Sequence, residues 1–349
     1  MKVKIGDLTK IRTGKLDANA SSEDGQYPFF TCSREPLKIS TYSYDCECVL
    51  VAGNGDLNVK YYNGKFDAYQ RTYIIEDNGS GKLFMPYLYY FMEGYVEELR
   101  KQAIGGVIKY IKLGNLTDAL IELPSVDEQK AIVDILEKAK NVLDMRNEEI
   151  SKLDDLIKAR FVELFGEVEA LTKRWNVKKF SDVTINCDST RKPVKDADRQ
   201  KMQGEYPYYG ATGIVDYVND YRIDGTYLLV SEDGKALEFR NKDIAFIAKG
   251  KIWVNNHAHV LQCTDEVDMV FLKYYMNLRN ISDWVTGIDQ KKLNRANMDK
   301  IPVGLPPLEL QKQFSALVEQ VDKSKVKEIK KNYEPIDNGF YYKNIWKGL

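Results

Sequence analysis

The feature that most constrains the fold is an internal repeat that runs through nearly the whole chain. Short motifs recur in the same order at offsets of 175 to 182 residues. They pair residues 4–8 with 179–183, 27–31 with 206–210, 50–52 with 229–231, Gly106 with Gly287, 123–124 with 305–306, and 129–130 with 311–312. Six pairs in one order indicate a duplicated unit, which predicts two similar domains rather than one large core.

Each repeat opens with a part that is rich in strands and turns. Short apolar runs bounded by Gly, Asn and Asp lie at 49–51, 72–75, 227–230 and 244–247. Short helices are expected between such strands, for example at 85–99 and 271–278. The pattern predicts a mixed α/β (α+β) fold in both repeats.

Each repeat closes with a helical part. Residues 125–128 (SVDE) have the capping-box spacing directly after Pro124, and a heptad pattern predicts one helix over 125–165. A second helix is expected to begin at Pro306-Pro307 and to end by Tyr333. The expected apolar seam of the two helices consists of Ile132, Leu136, Leu143, Ile150, Leu153, Ile157, Leu164, Phe314, Leu317 and Val321. Because so long a seam cannot be buried on one small domain, we expect the helices to pack against each other; an ordinary bundle edge is the alternative.

The charge balance limits the kinds of partner. The 349 residues contain 51 basic and 52 acidic side chains, for a net charge of −1. This excludes a polycation and requires any nucleic-acid binding to use local basic patches. Residues 125–165 carry 7 basic and 10 acidic side chains, so this helix suits a spacer or a protein-docking surface better than a DNA surface.

Cysteine usage and the N-terminus favour a cytoplasmic protein. The five cysteines, Cys32, Cys46, Cys48, Cys187 and Cys263, are scattered and favour reduced thiols over a disulfide framework. Residues 1–7 have no apolar signal core, and no apolar run approaches the ~20 residues of a membrane span. We therefore expect no membrane partner.

Together, these features resemble the specificity subunit of Type I restriction-modification enzymes. The segments that carry the resemblance are 123–132 (LPSVDEQKAI), 175–183 (WNVKKFSDV), 206–213 (YPYYGATG), and Gly287 through 305–307 (LPP), within a span of about 1–330. The resemblance implies two globular target-recognition domains separated by a long antiparallel two-helix coiled-coil spacer, with an internal pseudo-two-fold repeat. The implied boundaries are 1–124 for the first recognition domain, 125–165 for the central helical spacer region, 166–305 for the second recognition domain, 306–332 for the C-terminal helical spacer region and 333–349 for a tail.

The resemblance also implies partners and a division of labour. Each recognition domain would read one half of an asymmetric bipartite site in double-stranded DNA, and the helices would set the spacing and dock two modification (methyltransferase) subunits. The chain itself would be non-catalytic, with S-adenosylmethionine, ATP and Mg acting only in partner subunits, which include restriction subunits. The second helix departs from the pattern because it is shorter than the first, so pairing along their full length stays open.

Reading DNA requires cations for phosphates and polar side chains for base edges, held on rigid loops. Residues of these types cluster beside Gly and aromatic residues in both repeats. The candidates are Arg12, Lys15, Thr31, Ser33, Arg34, Asn54, Asn58, Lys60, Arg71, Lys109 and Lys112 in the first repeat, and Arg191, Lys192, Tyr208, Tyr209, Thr212, Lys235, Lys249, Lys251, Trp253, Lys291 and Lys292 in the second. For each one, a solvated surface side chain is the alternative.

Three patterns would favour catalysis instead. His257 and His259 would face one side of a strand, as some metal sites require, but strand packing or a base contact explains them equally. Residues 79–83 (GSGKL) lack the first Gly and the Ser/Thr of a phosphate loop. Residues 231–235 (SEDGK) could serve a metal-dependent nuclease with DNA-reading domains. That alternative stays open, as do a pure coiled-coil scaffold and a recognition subunit of another DNA-modification or defence system.

Overall fold

The structure, a computed structural model, describes residues 1–288 and 290–332. These residues form two compact units, one made of Met1–Asn147 with residues 330–332 and the other of Glu148–Ile329. The expected tail at 333–349 lies outside the described residues. Each unit contains the strand-rich part of one repeat.

Unit 1 is a mixed α/β structure. Its elements are β1 (Lys2–Lys4), α1 (Ile5–Leu8), β2 (Thr9–Thr13), β3 (Tyr27–Phe30), β4 (Leu37–Ile39), β5 (Tyr44–Ala52), β6 (Val59–Ala68), β7 (Thr72–Asp77), α2 (Met85–Gln102), α3 (Leu113–Thr117), β8 (Leu120–Glu122) and the first half of α4 (Val126–Phe165). The helix predicted at 85–99 is α2.

Unit 2 follows the same order of elements, with three additional short helices. After the second half of α4 come α5 (Leu171–Arg174), β9 (Asn176–Lys179), α6 (Phe180–Val183), β10 (Thr184–Asn186), α7 (Asp196–Arg199), β11 (Gln203–Gly210), β12 (Gly213–Val218), β13 (Ile223–Ser231), α8 (Lys235–Phe239), β14 (Ala245–Val254), β15 (Ala258–Cys263), α9 (Met269–Leu278), α10 (Arg295–Met298), β16 (Pro302–Leu305) and α11 (Leu308–Asn332). The helix predicted at 271–278 lies within α9.

The two units share one sheet topology, which confirms the duplicated α/β fold. A six-stranded sheet has the order β2-β7-β5-β6-β3-β4 in unit 1 and β10-β15-β13-β14-β11-β12 in unit 2. In each sheet a long antiparallel pair, β5 with β6 or β13 with β14, is flanked by a parallel pairing, β3 with β6 or β11 with β14. A two-stranded sheet, β1 with β8 or β9 with β16, completes each unit.

Equivalent hydrogen bonds show that the repeat extends to side chains. Thr9 Oγ1 donates to the Ile5 carbonyl (2.8 Å), as Thr184 Oγ1 does to the Phe180 carbonyl (2.7 Å). Buried Gln129 and Gln311 each bind backbone groups near the start of a long helix. These bonds explain why the same short motifs recur in both repeats.

One glycine pairing inferred from the sequence is wrong by one position. Gly105 and Gly287 both have positive φ, 115° and 95°, which favours glycine. A Cβ at Gly105 would lie 2.5 Å from the Ile108 carbonyl, and one at Gly287 would lie 2.1 Å from the Gln290 carbonyl. Gly287 therefore corresponds to Gly105 rather than to Gly106.

Each core forms between the six-stranded sheet and a helix that packs on it. In unit 1, Leu88 and Met92 of α2 pack with Val49 and Ile75 of the sheet. In unit 2, residues 271–276 of α9 pack in the same cluster as Leu228 and Val230. Both helices are apolar at three- and four-residue spacing on the face that they bury, which is why these segments are helical.

The long helix α4 contributes to the cores of both units. The Ser125 amide donates to Glu128 (2.8 Å) and the Glu128 amide donates to Ser125 Oγ (3.3 Å), so the predicted capping box is confirmed. Val133 and Leu136 belong to the core of unit 1, and residues 157–165 contribute Ile157, Phe161 and Phe165 to the core of unit 2. Among the described residues, no helix is long and apolar enough to cross a membrane.

Within unit 2, α11 runs antiparallel to the second half of α4. The Phe314 ring lies 5.4 Å from Phe161 and 5.6 Å from Phe165, whereas Lys325 forms an ion pair with Asp154 (2.5 Å). Residue numbers therefore increase along α11 in the direction in which they decrease along α4. Of the expected seam, Leu136, Ile157 and Phe314 are buried, and Ile132, Leu143, Ile150, Leu153, Leu164, Leu317 and Val321 are half-buried. The heptad pattern missed the buried residues Val133, Phe161 and Phe165, because these helices pack on globular cores as well as on each other.

Candidate nucleic-acid interface

Four loop segments of unit 1, at 31–35, 53–58, 69–71 and 103–112, meet on one surface, which we call loop cluster 1. The hydrogen bonds that join them run from Gly53 N to Arg71 O (2.7 Å), from Gly55 N to Lys109 O (3.0 Å), from Ile111 N to Gly53 O (2.9 Å) and from Asn58 Nδ2 to Cys32 O (2.8 Å). The cluster brings together the candidates Thr31, Ser33, Arg34, Asn54, Asn58, Arg71, Lys109 and Lys112. Lys15 adjoins it, because the Lys15 amide donates to the carbonyl of Ala68 (3.1 Å).

Loop cluster 1 presents positive charge to solvent. Lys15, Arg71, Lys109 and Lys112 are exposed, and within the described chain no carboxylate forms an ion pair with them. The exposed Arg34 binds Asp56 (3.2 Å), and this hydrogen bond lowers the pKa of Asp56. The four unpaired cations can therefore bind phosphates, while Asp56 offsets the charge of Arg34 in part.

Several candidates of unit 1 have internal partners instead. Arg12 lies in strand β2, where it forms an ion pair with Glu76 (2.7 Å) and stacks over Tyr44. Thr31 is buried and shares a hydrogen bond with Ser33 (2.8 Å). Lys60 lies in strand β6 and donates to Asn58, and burial lowers the pKa of Lys60. Arg12, Thr31 and Lys60 therefore support the fold, and we leave them out of the proposed DNA surface.

Unit 2 builds an equivalent surface, loop cluster 2, from residues 232–243, 255–257, 286–288 and 290–293. The Glu232 amide donates to the His257 carbonyl (2.9 Å) and the Leu293 amide to the Glu232 carbonyl (2.8 Å), matching the Gly53 bonds of unit 1. Short backbone bridges pair Asp233 and Thr286 with Lys292, as they pair Asn54 and Ile104 with Tyr110 in unit 1. The backbone framework is thus the same, whereas the side chains that it holds differ.

A buried ionic network underlies loop cluster 2. Arg191, whose side chain is 18% exposed, binds Glu232 (2.6 Å) and lies 3.4 Å from Asp188. Lys292 also reaches Glu232 (3.4 Å). Burial by itself raises the pKa of Glu232, but the hydrogen bond from Arg191 and the charge of His259 outweigh it, so the pKa is lowered overall. Arg191 therefore holds the loops in place, and we do not assign it to the DNA surface.

The two histidines have separate partners. His259 is buried; its Nδ1 lies 2.7 Å from Asp188, and its Nε2 donates to the Leu293 carbonyl (2.9 Å). In unit 1 the hydroxyl of Tyr73 makes the equivalent bond to the Ile111 carbonyl (3.2 Å). His257 binds Asp233 (2.9 Å). No group of three or more His, Cys, Asp or Glu side chains in the described residues could hold a metal ion.

Some candidates of unit 2 do not lie on exposed loops. Tyr208 and Trp253 are 1% and 4% exposed; the Tyr208 hydroxyl accepts from the Val194 amide (2.9 Å) and the Trp253 indole donates to the Lys192 carbonyl (2.7 Å). Placing them in a DNA contact is therefore wrong, because both side chains fill a small core. Tyr209 is half-buried and stacks on Phe246.

Lys249 and Lys251 lie within strand β14 rather than on a loop, and both are exposed. Lys251 stacks over Tyr221, 4.8 Å from its centroid. The pKa of Glu319 on α11 is lowered mainly by Lys323 and also by Lys249, so Lys249 lies towards that helix.

The remaining candidates of unit 2 are accessible. Lys192, Thr212 and Lys235 are exposed, and Lys291 is half-buried and donates to the Gly287 carbonyl (3.1 Å). The candidates chosen from the sequence did not include Val107 and Ile108, which are exposed at the tip of a loop in loop cluster 1. The sequence does contain a signal for them, because Val107 and Ile108 form an aliphatic pair between two glycines and Lys109. The criteria for DNA contacts were basic and polar side chains, which do not select aliphatic residues.

The structure defines a class of protein in which one chain carries two domains of the same topology, each with an equivalent cluster of loops. A family model described as the Type I restriction modification DNA specificity domain matches residues 1–154 and 172–336. The chain belongs to this family, and it carries two copies of the domain.

Known relatives agree with this membership. The chain is 27% identical over 361 residues to the Type I restriction enzyme EcoDI specificity subunit of Escherichia coli, covering 91% of this chain and 80% of the relative. It is 35% identical over 142 residues to a putative type I restriction enzyme specificity subunit of Haemophilus influenzae, covering 41% of this chain and 36% of the relative. A crystal structure of a Type-I restriction-modification system S subunit from M. genitalium has the same fold, with a TM-score of 0.55, 19% identity and coverage of 95% of this chain and 91% of that one.

Proposed function

We propose that this chain reads an asymmetric bipartite site in double-stranded DNA, with one recognition domain on each half. One observation carries the proposal: equivalent positions of the two loop clusters hold different side chains. Asn54 of unit 1 corresponds to Asp233 of unit 2, which is buried against His257, and Tyr110 of unit 1 corresponds to the exposed Lys292 of unit 2. Base edges are read through donor and acceptor patterns, so different side chains select different bases.

The DNA surface that we propose consists of accessible polar candidates of the two clusters, together with Lys15, Lys192 and Thr212 outside them. Exposed cations would bind phosphates and fix the register, while Asn, Ser and Thr side chains would face the base edges. The members are Lys15, Ser33, Arg34, Asn54, Asn58, Arg71, Lys109 and Lys112 in the first domain and Lys192, Thr212, Lys235, Lys291 and Lys292 in the second. A chain of net charge −1 would bind DNA through these local patches.

The two long helices would act as a spacer between recognition domains bounded at 1–124 and 166–305. The spacer regions would be 125–165 and 306–332, and the exposed helix faces would dock two modification subunits. The chain itself would be non-catalytic; methyl transfer with S-adenosylmethionine would belong to the modification subunits, and cleavage with ATP and Mg to the restriction subunits. This role would require the chain to act in the cytoplasm, together with the DNA.

The experiment that tests the proposal is a genome-wide map of adenine methylation in the source cells with and without this gene. We expect a split motif, with two different half-sites at a fixed spacing, that is methylated in the parent and unmethylated after deletion. Plasmid-borne expression of the wild-type chain should restore it. A methylation pattern that is the same in both strains, while the genes of the modification subunits are transcribed, would contradict the proposal.

A further inference from the structure

The most unusual surface feature of unit 1 is a short, braced loop with an apolar tip. Ile104 and Tyr110 exchange backbone hydrogen bonds (3.0 and 2.9 Å), which closes residues 104–110 into a tight hairpin. Val107 and Ile108 lie at its tip, where Val107 is fully exposed and Ile108 is 64% exposed. Two neighbouring aliphatic side chains that project into water make no contribution to the core, so packing in the described chain does not account for them.

The hairpin is held firmly on loop cluster 1. The carbonyl of Lys109 accepts from the Gly55 amide (3.0 Å), and the Ile111 amide donates to the Gly53 carbonyl (2.9 Å). Gly105 has a φ of 115° and no room for a Cβ, which fixes the turn. The apolar tip therefore has a defined position beside Asn54, the residue that pairs with Tyr110 across the loop.

The side chains around the tip favour a polyanionic partner that also presents apolar groups. Lys109 and Lys112 flank the hairpin, and both are exposed without an ion-pair partner in the described residues, as is Arg71 on the adjoining loop. The second repeat has an equivalent hairpin, because Thr286 and Lys292 exchange backbone hydrogen bonds (2.8 and 2.7 Å). Ile288 of this hairpin is 93% exposed, close in the chain to Lys291 and Lys292. DNA combines phosphates on its outside with thymine methyl groups in the major groove, and its base faces become accessible where an apolar side chain inserts between base steps.

We propose that Val107 and Ile108 enter a groove of the DNA and make apolar contact with the bases of the first half-site, while Lys109 and Lys112 bind the flanking phosphates. Ile288 does the same at the second half-site. The hairpin tip is thus a specificity-determining contact. This inference rests on the proposed function and goes beyond it, because it assigns base contacts to residues with no hydrogen-bonding side chain.

The test uses the full chain, assembled as it is in the cell, and duplexes that carry the methylated motif. The apolar variant combines Val107→Ser and Ile108→Ser in one chain, and the lysine variant combines Lys109→Gln and Lys112→Gln. We measure the affinity of each variant for DNA across a range of salt concentrations. Leu120→Ser is the matched control, because Leu120 of β8 is 52% exposed in the same unit outside loop cluster 1. The thermal unfolding midpoint of every variant should equal that of the wild type, since all the altered side chains are exposed.

The apolar variant should lose about tenfold in affinity for the specific duplex, with the slope of affinity against salt unchanged. The lysine variant should weaken binding to specific and random duplexes alike, and its slope should fall by about two. On a duplex whose first half-site is scrambled, the apolar variant should bind like the wild type, whereas Ile288→Ser should still weaken binding there.

Four results would overturn the inference. Unchanged affinity of the apolar variant for the specific duplex would remove the tip from the interface and leave the proposed function intact. Equal losses on specific and random duplexes would exclude base contact. Loss of assembly with the modification subunits at unchanged DNA affinity would make the tip a protein-docking surface. A wild-type assembly with no preference for the motif would overturn both the inference and the proposed function.

Discussion

At the scale of single residues, Tyr73 and His259 occupy the same place in the two repeats and bind the same type of backbone carbonyl. His259 adds a charged contact, because its Nδ1 lies 2.7 Å from Asp188. Burial raises the pKa of Asp188, but hydrogen bonds from His259 and the Val260 amide lower it overall. A lowered pKa means that ionised Asp188 stabilises the fold above a pH of about 4 and that this contribution disappears as the pH falls through the folded-state pKa.

We therefore expect Asp188→Asn to reduce the free energy of unfolding by about 3 kcal/mol at neutral pH, because it breaks a buried charge network. The stability difference between variant and wild type should shrink in acid. Tyr73→Phe, which removes one neutral hydrogen bond at the equivalent site, should cost only about 1 kcal/mol at all these pH values. Denaturant unfolding at neutral and acid pH measures both, and a loss for Asp188→Asn that does not depend on pH would contradict the assignment.

At the scale of elements, the second half of α4 is held by an aromatic cluster rather than by a coiled-coil seam alone. Phe161 is fully buried and contacts the rings of Phe165, Phe271 and Phe314. We expect Phe161→Ala to cost about 4 kcal/mol of unfolding free energy, because it opens a cavity where two helices and a core meet. Leu156→Ala, on the exposed side of the same helix, should change stability by less than about 0.5 kcal/mol. Equal effects of the two substitutions in denaturant unfolding would show that the cluster does not hold the helix.

At the scale of the whole molecule, α4 is one continuous helix of 40 residues whose two halves belong to different units. If it sets the distance between the half-sites, seven extra helical residues after Asn147 add ~10 Å, or about three base pairs. We expect the methylated motif to keep both half-sites and to gain a spacer of about that length. Seven residues inserted after the exposed Gly79 should leave the spacer unchanged. Retained methylation with the original spacer in the lengthened chain would rule out this role for the helix.

The sequence by itself determined the duplication, the mixed fold of each repeat and the two long helices. Each short motif, the local periodicity and the cap at Ser125 depend only on residues that are close together in the chain. The candidates chosen from the sequence include residues of all four loops of cluster 1, where Gly, Asn and basic residues concentrate, but only Lys235, Lys291 and Lys292 of loop cluster 2. Only the tertiary structure decided which candidates reach solvent. Arg191 enters a buried network, Tyr208 and Trp253 fill a core, and Val107 and Ile108 stand exposed. Burial and ion pairing depend on contacts between residues far apart in the chain, and no local pattern records those contacts.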